Sequence, residues 1–264
     1  MTSRSPRRTR TSKLTLTVAD DGFDFPTELA AGRYAIDVLN SSSGESHTTL
    51  ALLPQDVTQE EVATFFTTDT EETPDWALSL AGAGAPDGSA NGETRSGIID
   101  LATGTYAIFN IFGNQPVLFV TVTGDAGDPT EPDAALEVIM QEMSFTFPAD
   151  KFASGPMRIK LTNKGALVHE AQILAVPDGT TRDQVVQLFA MAQDPSATPE
   201  AELAALADTF DSWKTTAAMS MLGPGRSSWL DLDLTPGTYT IACPLPFPTV
   251  PHMMLGMVDV FTVD

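Results

Sequence analysis

The chain of 264 residues has one cysteine, three histidines and few bases. A lone cysteine excludes an intrachain disulfide framework. No run of eighteen apolar residues occurs, so no segment reads as a transmembrane helix. Lys and Arg number 14 against 35 Asp and Glu, a formal charge of −21. Five of those bases (Arg4, Arg7, Arg8, Arg10, Lys13) fall in the first 13 residues, where there is no acid. The other 251 residues therefore carry 9 bases against 35 acids, a net −26. Binding to nucleic acid is excluded as a function class, because phosphate neutralisation needs a basic face. An anionic membrane surface is an equally poor partner for such a body. What is present is 42% hydrophobic residues, enough for packed cores and too many for a disordered chain.

The basic start, MTSRSPRRTRTSK, resembles the n-region of an export signal, but no apolar stretch follows it. Residues 1–13 are expected to be a disordered basic tail or the remnant of such a signal.

From there the chain repeats itself at a spacing near 122 residues. Phe23-Asp24-Phe25-Pro26 returns as Phe145-Thr146-Phe147-Pro148. A strand pattern ending at Asn40 (Tyr34, Ile36, Val38 on one face) returns as one ending at Asn163 (Met157, Ile159, Leu161). His47 and an alternating run closed by Pro54 match His169 and a run closed by Pro177. Thr58-x-x-Glu61 and Thr181-x-x-Gln184 have capping-box form ahead of apolar-periodic stretches. Second short helices are expected from Thr73-Pro74 and Thr198-Pro199, the latter with Leu203, Leu206, Phe210 and Trp213 on one stripe. Gly104-Thr105-Tyr106 and Gly237-Thr238-Tyr239 open the closing strands. The expected organisation is a tail (1–13), a first domain (14–123), a linker (124–136) and a second domain (137–264). Short alternating strands punctuated by Gly and Pro make both domains all-β sandwiches, each with a short helical insertion.

The scarce residues are concentrated at one place. Cys243 ends a strand, eight residues separate it from His252, and four more separate His252 from Met257. With His169 upstream, the inventory is two imidazoles, a thiolate and a thioether. That set suits copper: soft sulfur favours Cu(I), while imidazole serves both oxidation states. Zinc is a weaker match, since thioether is a poor zinc ligand. Cysteine-protease chemistry needs a base held against the thiol, and no motif supplies one. Each residue alone reads more readily as core or loop; it is their joint spacing that points to a site.

The segment from Cys243 to Met257, with Gly256 before the methionine, resembles the ligand loop of the cupredoxin (type 1 blue-copper) family. The stretch from Asn163 to His169 resembles that family's strand carrying the first histidine. The resemblance covers most of residues 137–264. It implies tandem Greek-key sandwiches, one type 1 copper per chain, His169, Cys243 and His252 as trigonal ligands, and Met257 as the weak axial one. The family usually has Asn after the first histidine, whereas this chain has Glu170, a carboxylate that would favour the oxidised ion and lower the potential. Copy one has Asn110 where copy two has Cys243, and its segment from Ile111 to Val122 has no His, Cys or Met. It is expected to be metal-free, with His47 a vestige or a hydrogen-bonded strand residue.

Copper nitrite reductases and multicopper oxidases of the family place a histidine directly before the type 1 cysteine, where this chain has Ala242. Three histidines cannot furnish both a type 1 site and a three-histidine catalytic copper. The expected role is a one-electron carrier with a transient redox-partner protein. His252 is its solvent-near edge, and Pro246, Phe247, Pro248, Val250, Pro251 and Met253 form an apolar docking patch. Two alternatives remain open: copper binding and delivery without electron transfer, and a metal-free structural module. An unpaired thiol protected by a metal suits an extracellular or periplasmic setting, the usual one for the family.

Overall fold

The computed structural model describes residues 12–67, 74–111, 115–127, 129–193, 200–246 and 250–264. Residues 1–11 of the expected tail, Thr73, Thr198, Pro199, Phe247 and Pro248 lie outside them. Copy one runs β1 (Ser12–Ala19), β2 (Gly22–Asp24), β3 (Glu28–Ala30), β4 (Gly32–Asn40), β5 (Thr48–Leu52) and helix α1 (Gln59–Thr67). A 3-10 turn (Asp75–Ser79) then leads to β6 (Ala81–Gly82), β7 (Pro86–Asp87), β8 (Thr94–Leu101), β9 (Gly104–Asn110) and β10 (Leu118–Thr123). Copy two runs β11 (Leu136–Gln141), β12 (Ser144–Thr146), β13 (Gly155–Asn163), β14 (His169–Val176), α2 (Arg182–Gln193) and α3 (Ala201–Ala207). It closes with β15 (Lys214–Leu222), β16 (Ser227–Leu234), β17 (Gly237–Ala242) and β18 (Val258–Val263). β1 thus takes in Ser12 and Lys13 of the expected tail, and β11 takes in Leu136 of the expected linker.

Both copies are β-sandwiches. In copy one β2-β1-β4-β8 packs against β3-β10-β9-β5-β6; in copy two β12-β11-β13-β16 packs against β18-β17-β14-β15-β7. Leu16, Val18, Ile36, Val38, Ile99 and Ile108 fill the first core. Val138, Ile159, Leu161, Ile173, Leu230 and Ile241 fill the second, which runs on into Leu53, Val62 and Phe109 of copy one. Burying inward residues at alternate positions is what drives each strand to this register, at about 1.5–3 kcal/mol per large aliphatic side chain.

The strand order of copy two mirrors that of copy one across the β16–β8 junction, so the two half-sheets join into one eight-stranded sheet. Only Trp229↔Ile98 and Leu230↔Gly97 make that junction. A Cβ on Gly97 would come within 2.4 Å of the Trp229 carbonyl oxygen, so glycine is what lets these strands approach. A second crossing was not readable in the sequence. β6 pairs with β5 in its own sheet, but β7 leaves it and pairs with β15 of copy two (Ala218↔Asp87, Met219↔Pro86). Arg95 of β8 reinforces the seam by donating to the carbonyls of Thr215 and Thr216.

The capping boxes form as expected. The Thr58 amide donates to Glu61 at 2.8 Å and the Glu61 amide to Thr58 Oγ1 at 3.2 Å. The Thr181 amide donates to Gln184 Oε1 at 2.9 Å and the Gln184 amide to Thr181 Oγ1 at 3.3 Å. Leu203 and Leu206 are buried together with Leu188 and touch Trp213, but Phe210 falls in a 3-10 turn (Phe210–Ser212) and is 40% exposed.

Candidate metal centre

Three features place the donors. Tyr239 anchors β17, its hydroxyl donating to the Thr235 carbonyl at 2.8 Å, and Cys243 directly follows that strand. Asn163 shapes the turn before His169: its side-chain amide donates to the carbonyls of Leu167 and Leu222, each at 2.8 Å, and its oxygen accepts the Gly165 amide at 2.9 Å. The same turn is held from outside by Glu142, whose Oε1 accepts the amides of Ala166 at 2.6 Å and Leu167 at 2.7 Å.

The loop after Cys243 folds back on itself through its backbone. The Cys243 amide donates to Met257 O at 3.1 Å, Met253 N to Cys243 O at 2.9 Å, His252 N to Leu245 O at 3.1 Å, and Met257 N to His252 O at 3.0 Å. A 3-10 turn, His252–Leu255, ends at Gly256 with φ +109°, a conformation that favours glycine. The sequence signal for this was Gly256 itself.

These elements bring His169, Cys243 and His252 together, all fully buried, with their donor atoms within 4.8 Å of one another. His169 Nδ1 is 3.1 Å from His252 Nδ1, and Cys243 Sγ is 3.5 Å from the same His252 nitrogen. The Glu170 amide donates to Cys243 Sγ at 3.3 Å. Met257 is fully buried beside them and bonded through its backbone to both Cys243 and His252. Two imidazole nitrogens facing one another beside a sulfur form a donor set that copper fits.

Electrostatics follow from burial. The Cys243 thiol is pushed up, chiefly by desolvation and then by Glu170, while the amides of Glu170 and Leu245 pull it down. Desolvation pushes His169 below its ordinary value; His252 adds to this and Glu142 opposes it. A ligand metal therefore has to displace the thiol proton, whereas the imidazole is already neutral. Burial pushes Glu170 up to about 8, with Asp87 contributing, and its Oε1 has no hydrogen-bond partner among the described residues.

Two other expectations change. His252, the first residue of the 3-10 turn, is fully buried rather than solvent-near. His47 is not the counterpart of His169. Tyr106 pairs with Leu52 and Tyr239 with Ala175, and five residues back along each strand stand His47 and Glu170. The hydrogen bonds agree: the His47 amide donates to Asn110 Oδ1 at 3.3 Å, as the Glu170 amide does to Cys243 Sγ. By this register Ser46 occupies the place of His169, since copy one has one residue fewer between the histidine and the closing proline.

Sequence reasoning missed Glu142 and Arg182. Glu142 Oε1 lies 3.4 Å from His169 Nε2, angled away from a hydrogen bond but close enough to favour a proton there. Nothing in the sequence marks a turn residue 27 positions away as a neighbour of the histidine. Arg182 left a faint signal, being a base in the first turn of a helix, where the macrodipole disfavours it.

No family model and no curated protein matches this chain. Solved structures that it resembles include a dithionite-reduced auracyanin from the photosynthetic bacterium Roseiflexus castenholzii (25% identity, 48% of this chain and 94% of that one, TM-score 0.30). Another is auracyanin B (21%, 51% and 93%, TM-score 0.31). A copper-containing nitrite reductase from Thermus scotoductus matches 97% of this chain and 62% of its own at 12% identity and a TM-score of 0.27. The chain resembles the cupredoxins: tandem sandwiches, with a buried His-Cys-His cluster in the second. No helix among the described residues is long and apolar enough to cross a membrane.

Proposed function

We propose that this protein is a one-electron carrier with a single type 1 copper in copy two, held by His169, Cys243 and His252 with Met257 as the axial group. The observation that carries this reading is the convergence of two Nδ1 atoms and one Sγ in a fully buried, loop-braced pocket. Copper in that pocket supplies one-electron cycling between Cu(I) and Cu(II). Cys243 gives up its proton on ligation and keeps the Glu170 amide on its sulfur. With both Nδ1 atoms given to copper, the Nε2 atoms would carry the protons, that of His169 lying 3.4 Å from the Glu142 carboxylate. Backbone hydrogen bonds within the loop brace Cys243, His252 and Met257 against one another.

A carrier is favoured over an enzyme by Ala242. It is buried against Val185 and Val258, in the position a wiring histidine would need. Partner docking is supported by the surface over the site. Pro246, Val250 (37% exposed) and Leu255 (53% exposed) stand out there, Pro251 and Met253 are half-buried, and residues 244–255 contain no acid. A small apolar patch in an otherwise acidic protein suits a transient redox partner. A metal-protected thiol supports a setting outside the cytoplasm.

Titration of the purified protein with Cu(II) tests the reading. The expected result is an intense thiolate-to-copper visible absorption that saturates at one copper per chain and is absent in Cys243→Ser. A colourless protein, or colour that survives Cys243→Ser, overturns it. A blue protein that no small one-electron reductant bleaches overturns the carrier role and leaves storage or delivery.

A further inference from the structure

Met257 is held in place by more than its own loop. The carbonyls on either side of it, those of Gly256 and Val258, both point at one guanidinium. Arg182 donates from Nη2 to Gly256 O at 2.7 Å and from Nε to Val258 O at 2.9 Å. The Val258 amide also donates to Gly256 O, at 2.8 Å, so this three-residue arc closes around the methionine. On the inner side, Met257 is tied through its backbone to Cys243 and His252. Arg182 comes from the first turn of α2, in the helical insertion, and its placement there opposes the helix dipole. A planar fork that spans two carbonyls is a task that lysine cannot share. A Cβ on Gly256 would lie 3.4 Å from Arg182 Nη2 and 3.6 Å from Met143 O, so the arc is packed on both sides.

We propose that Arg182 is the positioning residue for Met257: it fixes the segment from Gly256 to Val258 and thereby the distance at which the thioether faces the metal. This rests on the copper reading above. The helical insertion is then part of the metal centre, a clamp from outside the ligand loop that sets the relative affinity for the two copper oxidation states.

The test compares wild type, Arg182→Ala and Arg182→Lys, each also in a Met257→Leu background. In the metal-free proteins, amide hydrogen exchange at Met257 should accelerate at least tenfold in both Arg182 variants while the amides of β17 are unchanged. With copper bound, the ratio of Cu(I) to Cu(II) affinities should change tenfold or more, about 59 mV for one electron. Arg182→Lys should behave as Arg182→Ala. In the Met257→Leu background the same substitutions should change the ratio less than twofold, since no thioether remains to be positioned. Unchanged exchange at Met257 overturns the proposal, as does an equal effect in both backgrounds or full rescue by lysine. Wild type that forms no blue centre overturns the copper reading and this inference with it; a blue wild type with unaltered variants overturns the inference alone.

Discussion

Asp87 offers a quantitative test of how the two copies are joined. It sits on β7, the strand that crosses from copy one into the sheet of copy two, and is buried. Its Oδ1 accepts the Thr48 amide at 2.6 Å, and Oδ2 lies 3.9 Å from His47 Nδ1. Burial pushes it from an ordinary 3.8 up to about 7; the amides of Gly88 and Thr48 and the charge of Arg95 resist this, and Glu45 adds to it. The charge of Asp87 also raises Glu170 of copy two. A carboxyl raised in the fold binds its proton more tightly there than in the unfolded chain. Its stabilising contribution is complete below pH 4 and is lost as pH rises through about 7. Over roughly 3 pH units at about 1.4 kcal/mol each, the loss is about 4 kcal/mol. Glu170 adds a decline of the same sign reaching to about pH 8. His47 and His169, both lowered chiefly by burial, act oppositely below pH 6.5, because the unfolded chain protonates them first. Metal-free wild type should therefore lose stability most visibly between pH 6.5 and 8. Asp87→Asn keeps an acceptor for Thr48 and removes the titration. Urea unfolding at pH 4 to 8 should show the variant gaining on wild type as pH rises, by about 2–4 kcal/mol in all. Parallel pH curves for the two proteins would refute the assignment of a buried, proton-holding Asp87.

Three further outcomes are expected. Gly82→Ala would put a Cβ 1.9 Å from the Met221 carbonyl oxygen, which also accepts the Gly84 amide. The seam must shift, and the urea midpoint should fall by the equivalent of about 3 kcal/mol; an unchanged midpoint contradicts the close approach. Thr181→Ala removes one half of the α2 capping box and should cost about 1 kcal/mol without altering the copper spectrum. Glu142→Gln retains an oxygen for the Ala166 and Leu167 amides but loses the charge facing His169 Nε2; copper affinity by competition titration should drop about tenfold.

Much of this architecture is readable from local pattern, and the failures share one cause. Alternating residues such as Ile36 and Val38 declare an inward face, and Thr-x-x-Glu declares a helix start, because the physics that forms them acts over a few residues. Cys243, His252 and Met257 were legible for the same reason, lying within one loop. The β7 crossing, the Gly97 junction and the Glu142 and Arg182 contacts depend on which surfaces meet after folding, and no periodicity encodes that. His47 shows the cost most plainly. Matching it to His169 by type was natural, but one residue fewer before Pro54 shifts it to the place of Glu170, and in a strand a shift of one reverses the face.

That register also shows what Asn110 does where copy two has Cys243. In both copies a side chain at the end of the final hairpin's first strand accepts a backbone amide: Cys243 Sγ, just after β17, from Glu170, and Asn110 Oδ1 from His47, just before β5. The structural half of the cysteine's task, satisfying a buried N–H, is open to any acceptor of suitable size. The other half, a soft anionic donor, is not. An amide oxygen in place of sulfur therefore keeps the hydrogen bond but offers no thiolate. Copy one is free to act on copy two in another way. Its β7 lies along β15, the strand that flanks β14 and hence the turn presenting His169. An unpaired β15 edge would be a site for association with other chains. Covering it with Pro86 and Asp87 closes that edge at Ala218 and Met219 and brings a buried acid toward Glu170. Copy one thus contributes a strand and a carboxyl to the surroundings of the His169, Cys243 and His252 cluster, which a copy-two fragment alone would lack.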